Sequence, residues 1–137
     1  MKPFTYRMRV PFYDVDSMRV VYHGNYVKYF EEARCAYFEA LGLTYNDMEA
    51  HGFLLPVISL NIKYIRSCTF GQEILIDVVR EANDNLIILH YTLRDAATGV
   101  KCCKGTTRHA AIDANTRELC FELPAPFLER LKAGEAQ

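Results

Sequence analysis

A chain of 137 residues, half of them hydrophobic and 24% charged, has the balance of a soluble globular protein with length for one domain and one core. Its formal net charge of −1 excludes a strong overall field for nucleic acid or anionic membrane. The five cysteines are odd in number and lack C-x-x-C spacing, which argues against a disulfide framework or a zinc site and for buried, reduced thiols.

No basic-then-apolar leader follows Met1, and no apolar run has the length of a membrane span. A cytoplasmic protein with no membrane span and no metal or other cofactor is expected.

Residues 4–12 alternate: Phe4, Tyr6, Met8, Val10 and Phe12 share one face, and Thr5, Arg7 and Arg9 the other. That is the pattern of a half-buried strand. From about Tyr26 to Leu41 the period becomes helical. Tyr26, Val27, Phe30, Ala33, Tyr37, Phe38 and Leu41 form one stripe that only Arg34 interrupts, and Gly42 ends it. Gly24 or Asn25 is the expected N-cap. Residues 44–51 form a second, short helix, with Thr44 and Asp47 at capping-box spacing.

Strand-like runs follow at about 55–67, 72–82, 86–95 and 100–113. They are separated by turn residues at Phe70-Gly71, Asn83-Asp84-Asn85 and Ala97-Thr98-Gly99. Short links make consecutive strands antiparallel. A last helix is expected at roughly 126–132. The layout is α+β, an antiparallel meander around one long buried helix in a single domain, residues 1–137. One sheet with one helix leaves an edge and a helix flank uncovered, which predicts a homo-oligomer.

The chemistry concentrates at the junction Asp14-Val15-Asp16-Ser17-Met18-Arg19-Val20-Val21-Tyr22-His23-Gly24-Asn25-Tyr26. A helix N-terminus offers free N–H groups, here about Tyr22, His23 and Gly24, and the positive end of a dipole. A carboxylate beside it supplies a base or nucleophile. This set polarises a carbonyl and attacks it. It favours a thioester over an amide, because a thiolate leaves without a strong general acid. Read without that chemistry, Asp14 and Asp16 are ordinary turn-forming residues, and His23 is a satisfied histidine at a helix start.

The motif Asp14-x-Asp16-x-x-x-Val20-Val21-Tyr22-His23-x-Asn25-Tyr26, followed by Tyr29-Phe30-Glu31-x-Ala33-Arg34, resembles the 4-hydroxybenzoyl-CoA thioesterase-type hot-dog family. It is nearest the acyl-CoA thioesterase branch associated with the Tol–Pal system. Pro56-Val57-Ile58-Ser59, Lys63-Tyr64-Ile65-Arg66, Gly71-x-Glu73-Ile74 and Gly105-x-x-x-His109 extend the likeness along nearly the whole chain.

The resemblance implies a hot-dog fold, an antiparallel sheet wrapped around the long helix. It also implies sites formed between subunits of a homodimer or homotetramer, with an acyl-CoA substrate or an acyl carrier protein as the thioester carrier. By position Asp16 matches the catalytic carboxylate, Tyr22 and His23 the residues whose N–H groups face the carbonyl, and His23 an assisting histidine. Substrate contacts are expected from Asn25, Tyr26, Arg19, Arg66 and Ser59, with Lys104 and Arg108 as further phosphate candidates.

Arg19 stands where that family usually has glycine, so a differently bent loop is expected. Glu31 is expected to pair with Arg34 or Lys28 on the helix surface, and His90 and His109 to be satisfied sheet histidines. Two other functions fit the same residues: a hydroxyacyl-thioester dehydratase built on His23, and a non-catalytic acyl-thioester binding module.

Overall fold

The computed structural model describes residues 3–136. Strand β1 (Phe4–Arg9) alternates as expected but stops early. Pro11 has no N–H to give a ladder, and residues 12–14 turn into a short 3-10 helix instead. Phe12, expected inside, is 70% exposed and rests edge-on against Phe70.

The long helix α1 (Asn25–Ala40) buries Tyr26, Phe30, Ala33, Tyr37 and Phe38 of the expected stripe together with Tyr29 and Arg34, whereas Val27, expected in the stripe, is 38% exposed. Gly24 is its N-cap, and Gly42 follows its C-cap at φ +73°, a conformation glycine adopts without steric cost. In α2 (Tyr45–Ala50) the capping box is complete. Thr44 Oγ1 accepts the Asp47 N–H at 3.1 Å, and Asp47 Oδ2 accepts the Thr44 N–H at 3.0 Å.

The run expected at 55–67 is two strands, β2 (Phe53–Leu54) and β3 (Val57–Tyr64), parted at Leu55-Pro56. Then come β4 (Glu73–Glu81), β5 (Leu86–Asp95), β6 (Lys101–Asp113), β7 (Leu119–Cys120) and helix α3 (Ala125–Glu135), which is longer than expected.

The main sheet runs β1-β4-β5-β6-β3, antiparallel throughout. Strands β4, β5 and β6 form the predicted meander, but β3 pairs with β6 and not with its neighbour in sequence. The β3–β4 link crosses the sheet end because its residues serve the junction loop: the Cys68 carbonyl accepts the Val21 N–H, and Thr69 bridges Val20.

Helix α1 lies on the face that carries Ile74, Ile76, Val78, Ile87, Leu89, Tyr91, Leu93, Cys103 and Thr107. Each large side chain removed from water there contributes about 1.5–3 kcal/mol. The helix crosses β6 at Gly105, where a Cβ would sit 2.5 Å from the Phe30 ring, and Phe30 stacks on Tyr91 at 4.7 Å. Cys68, Cys102 and Cys103 are buried as expected, and Cys35 is exposed. Burial pushes the Cys68 and Cys103 thiols up to about 12.

Candidate active site

Residues 14–22 fold back on themselves as a small antiparallel hairpin. The Asp16 N–H donates to the Val20 carbonyl at 2.9 Å, the Tyr22 N–H to the Asp14 carbonyl at 3.0 Å, and Val15 bridges Val21. At the tip Arg19 takes φ +65°, so the loop keeps the bend a glycine would permit rather than a different one. For a residue with a Cβ this costs about 1–2 kcal/mol. The hairpin is sewn to the β3–β4 link by Val21 and, below it, by the Tyr26 hydroxyl, which accepts the Cys68 N–H at 3.0 Å.

The two aspartates have separate fates. Asp14 is 3% exposed. Its Oδ1 accepts from Lys28 Nζ at 2.9 Å and its Oδ2 from the Tyr29 hydroxyl at 2.8 Å. Its carbonyl accepts Asn25 Nδ2 at 2.9 Å. The bond to Asp14 raises the Lys28 pKa, and burial together with the Asp14 carboxylate raises that of Tyr29. Asp14 is therefore a brace between the hairpin and the helix. Asp16 is only partly buried. Its Oδ1 accepts the Met18 N–H at 2.8 Å, closing the hairpin tip, and its Oδ2 has no partner among the described residues.

At the helix start the Asn25 N–H donates to the Tyr22 carbonyl. The Tyr22 N–H, expected to face a substrate, is taken by Asp14. The N–H groups of His23 and Gly24 donate to no acceptor among the described residues. The His23 ring is exposed, lies 4.3 Å from the Tyr22 ring and makes no polar contact among the described residues; its carbonyl accepts the Tyr64 hydroxyl at 2.9 Å. Among the described residues no bond joins His23 to Asp16.

Several of the expected substrate contacts have partners within the chain or lie away from α1. Asn25 braces Asp14. Tyr26 is 3% exposed, packed between Tyr29 and Tyr64, with burial raising its pKa. Ser59 is partnered with Arg108, which puts it on the sheet face away from α1, after a bulge between Val57 and Ser59. Arg19 and Arg66 are exposed.

Among the described residues Glu31 pairs with neither Arg34 nor Lys28, and Lys28 goes to Asp14. Arg34 is buried and donates to the Tyr45 and Tyr91 hydroxyls. His90 and His109 are satisfied as expected, by Glu81 and Thr106 and by Thr107 and the Leu55 carbonyl.

The sequence reading did not assign Lys28, Tyr29 or Tyr64 to the junction. Lys28 and Tyr29 follow Asn25 by one helical turn, so a lysine on the face of a buried aspartate was the available signal. Nothing in the sequence joins Tyr64 to His23. A cavity of about 680 Å³ lies between α1 and β1 and meets the junction at Asp14, Lys28 and Tyr29, where both Asp14 carboxylate oxygens are already bonded.

An antiparallel sheet wrapped on one long helix is the architecture of the hot-dog fold. The sequence matches the thioesterase-like superfamily over residues 10–133, and the chain belongs to that family. A Bacillus subtilis (strain 168) relative named "Putative acyl-CoA thioesterase YneP" is 31% identical over 107 residues, 77% of each chain. The Haemophilus influenzae acyl-CoA thioesterase YbgC is 26% identical over 133 residues, 96% of this chain and 93% of that one. The crystal structure of a DHNA-CoA thioesterase from Staphylococcus aureus superposes with a TM-score of 0.88 at 26% identity, over 99% of this chain and 93% of that one. The fold is the hot-dog fold, and the protein is a thioester hydrolase.

Proposed function

We propose that the protein hydrolyses an acyl-CoA to the free acid and coenzyme A, and that Asp16 carries the attack. The observation behind this reading is the contrast between the two aspartates. Asp14 has both oxygens bonded, whereas Asp16 keeps one oxygen free at a partly exposed position. The thioester carbonyl lies against the unoccupied His23 and Gly24 amides, where the helix end stabilises the developing oxyanion. Asp16 adds to the carbonyl carbon or draws a proton from the attacking water, and the thiolate leaves. His23 lines this opening.

Acyl-CoA as the carrier is supported by the names of the relatives, and the Tol–Pal-associated branch by the junction motif. A second copy of the chain completes the site across β3, because Tyr64 on that open strand holds the His23 carbonyl. The working form is then a cytoplasmic homodimer or a tetramer of two such dimers.

Thiol release from short, long and aromatic acyl-CoAs tests the reading. Wild type is expected to turn over at least one of them, and Asp16→Asn to lose nearly all of that rate with its circular dichroism unchanged. Wild-type rates from a folded Asp16→Asn protein would overturn the role of Asp16. No turnover of any substrate by wild type would overturn the function.

A further inference from the structure

The last turn before α1 is Tyr22-His23-Gly24-Asn25, closed by the Asn25 N–H on the Tyr22 carbonyl at 2.9 Å. That bond ties the two ends of the turn. It does not fix the central peptide, which joins the His23 carbonyl to the Gly24 N–H. In a type I turn the central carbonyl points to one side. In a type II turn it points to the other, and the residue after it takes φ of about +80°. Glycine adopts either conformation without steric cost. Gly24 stands at φ −68° and ψ −21°, on the type I side.

One side chain holds the peptide there. The Tyr64 hydroxyl donates to the His23 carbonyl at 2.9 Å, and no other hydrogen bond reaches this peptide among the described residues. The phenol is presented from a fixed place. Tyr64 ends β3 opposite Cys103, and the next two N–H groups, those of Ile65 and Arg66, both go to the Cys102 carbonyl at 2.9 Å. The Tyr64 ring meets the Tyr26 ring edge-on at 5.6 Å and the His23 ring at 6.3 Å. Burial raises the Tyr64 pKa, so at neutral pH the hydroxyl keeps its proton and donates.

A trans peptide is planar, and its C=O and N–H point in opposite directions. Holding the His23 oxygen against Tyr64 therefore aims the Gly24 N–H away from Tyr64. A bond accepted at the oxygen also polarises the peptide and strengthens what its N–H donates. With the peptide turned over, a carbonyl oxygen would stand where the N–H now points and would repel an oxyanion.

Resting on the acyl-CoA reading above, we propose that Tyr64 is a positioning residue whose hydroxyl latches the His23–Gly24 peptide so that the Gly24 N–H faces the thioester carbonyl. It acts through the peptide, not on the substrate. A strand paired to β3 would engage its backbone and leave this hydroxyl in place.

The test uses Tyr64→Phe, which removes the hydroxyl and keeps the ring, beside Tyr64→Leu, which removes both. One hydrogen bond of ordinary net strength biases such an equilibrium by roughly tenfold. Tyr64→Phe is expected to lower kcat about tenfold, with KM for acyl-CoA within about twofold of wild type and circular dichroism unchanged. Two further readouts follow the peptide itself. In nitrogen-15 NMR of the ligand-free protein, the Gly24 amide is expected to shift or to show microsecond-to-millisecond exchange in Tyr64→Phe, and to be free of exchange in wild type. With benzoyl-CoA bound to Asp16→Asn, the infrared band of the thioester carbonyl is expected below that of free benzoyl-CoA. In Asp16→Asn/Tyr64→Phe it is expected to return toward the free position.

A wild-type kcat in Tyr64→Phe overturns the proposal. So does a Gly24 amide unchanged in that variant, or a defect that appears only in Tyr64→Leu and so belongs to the ring. If wild type releases no thiol from any acyl-CoA, the hydrolase reading fails, and the Gly24 amide still decides whether Tyr64 holds the peptide.

Discussion

Arg34 is a buried guanidinium with no carboxylate beside it. Its Nε donates to the Tyr45 hydroxyl at 2.8 Å and a terminal nitrogen to the Tyr91 hydroxyl at 3.3 Å. Tyr91 meets Thr107 at 2.8 Å, and Thr107 meets His109 Nε2 at 2.9 Å. His109 Nδ1 faces the Leu55 carbonyl at 3.3 Å, so that nitrogen carries the proton and Nε2 accepts. The donors then run one way, from Arg34 through Tyr91 and Thr107 to His109 and the Leu55 carbonyl. A second proton on His109 would break the sequence. Burial first, and the Arg34 charge next, lower the His109 pKa from 6.5 to about 4. Between those values the unfolded chain binds the proton and the folded one does not, so stability rises with pH across that window. On acidification from pH 6.5 to 4 the loss from His109 is on the order of 3 kcal/mol. Urea midpoints measured every half pH unit are expected to follow that slope in wild type, and to flatten over pH 6.5–4.5 in His109→Gln. An equal slope in both proteins would remove His109 as the cause. That His109 is a satisfied core histidine was legible from its strand. The burial of Arg34 was not, because Tyr45 and Tyr91 reach it from another helix and from the sheet.

Elements with a strong local signal were legible: the aromatic stripe of α1, the Thr44–Asp47 capping box, and β5 at residues 86–95. What depends on distant partners was not. The crossing of β3 to β6 follows from the junction's demand for Cys68 and Thr69, and β7 exists only as an added rung beside β6. The extra length of α3 is held by Glu135. Its carboxylate takes Arg80 at 2.8–3.0 Å and the Tyr37 hydroxyl at 2.6 Å, all in the interior. One Arg80 nitrogen, Nη1, is already buried without a partner, so little else there can take up the charge. Glu135→Gln preserves the shape and removes the counter-charge. It is expected to cost about 3–5 kcal/mol, read as a lower urea midpoint with the m-value unchanged. Adding Arg80→Met should recover most of the loss, because the buried charge is then gone as well. A Glu135→Gln protein as stable as wild type would mean that the ion pair contributes no net stability.

The whole molecule has two sheet edges of opposite character. The outward row of β1 is Thr5, Arg7 and Arg9, and the strand stops before Pro11; a short, charged edge resists pairing. Strand β3 is longer and pairs only with β6. It exposes Ile58 at 57%, Leu60 at 44% and Tyr64 at 50%. An unprotected apolar edge of this kind takes another strand. The same end of β3 touches the helix N-terminus through Tyr64, so a partner strand paired there would also close the opening in front of His23 and Gly24. The residue types of this centre were legible in the junction motif. The resemblance already picks Asp16 by position, but the period-2 spacing of Asp14 and Asp16 does not reveal that Lys28 and Tyr29 occupy the Asp14 carboxylate. Nor does it show that the Tyr22 amide is bonded inside the hairpin. A two-fold pair of chains along β3 has twice the 15.8 kDa of one chain, and light scattering at micromolar concentration should find that mass or four times the single chain. Leu60→Lys puts a charge on the exposed edge without touching the core. It is expected to give a folded monomer that releases thiol at least tenfold more slowly than wild type. A wild-type protein that is monomeric and fully active would show that one chain forms the whole site, and β3 would then need another explanation for its exposed apolar face.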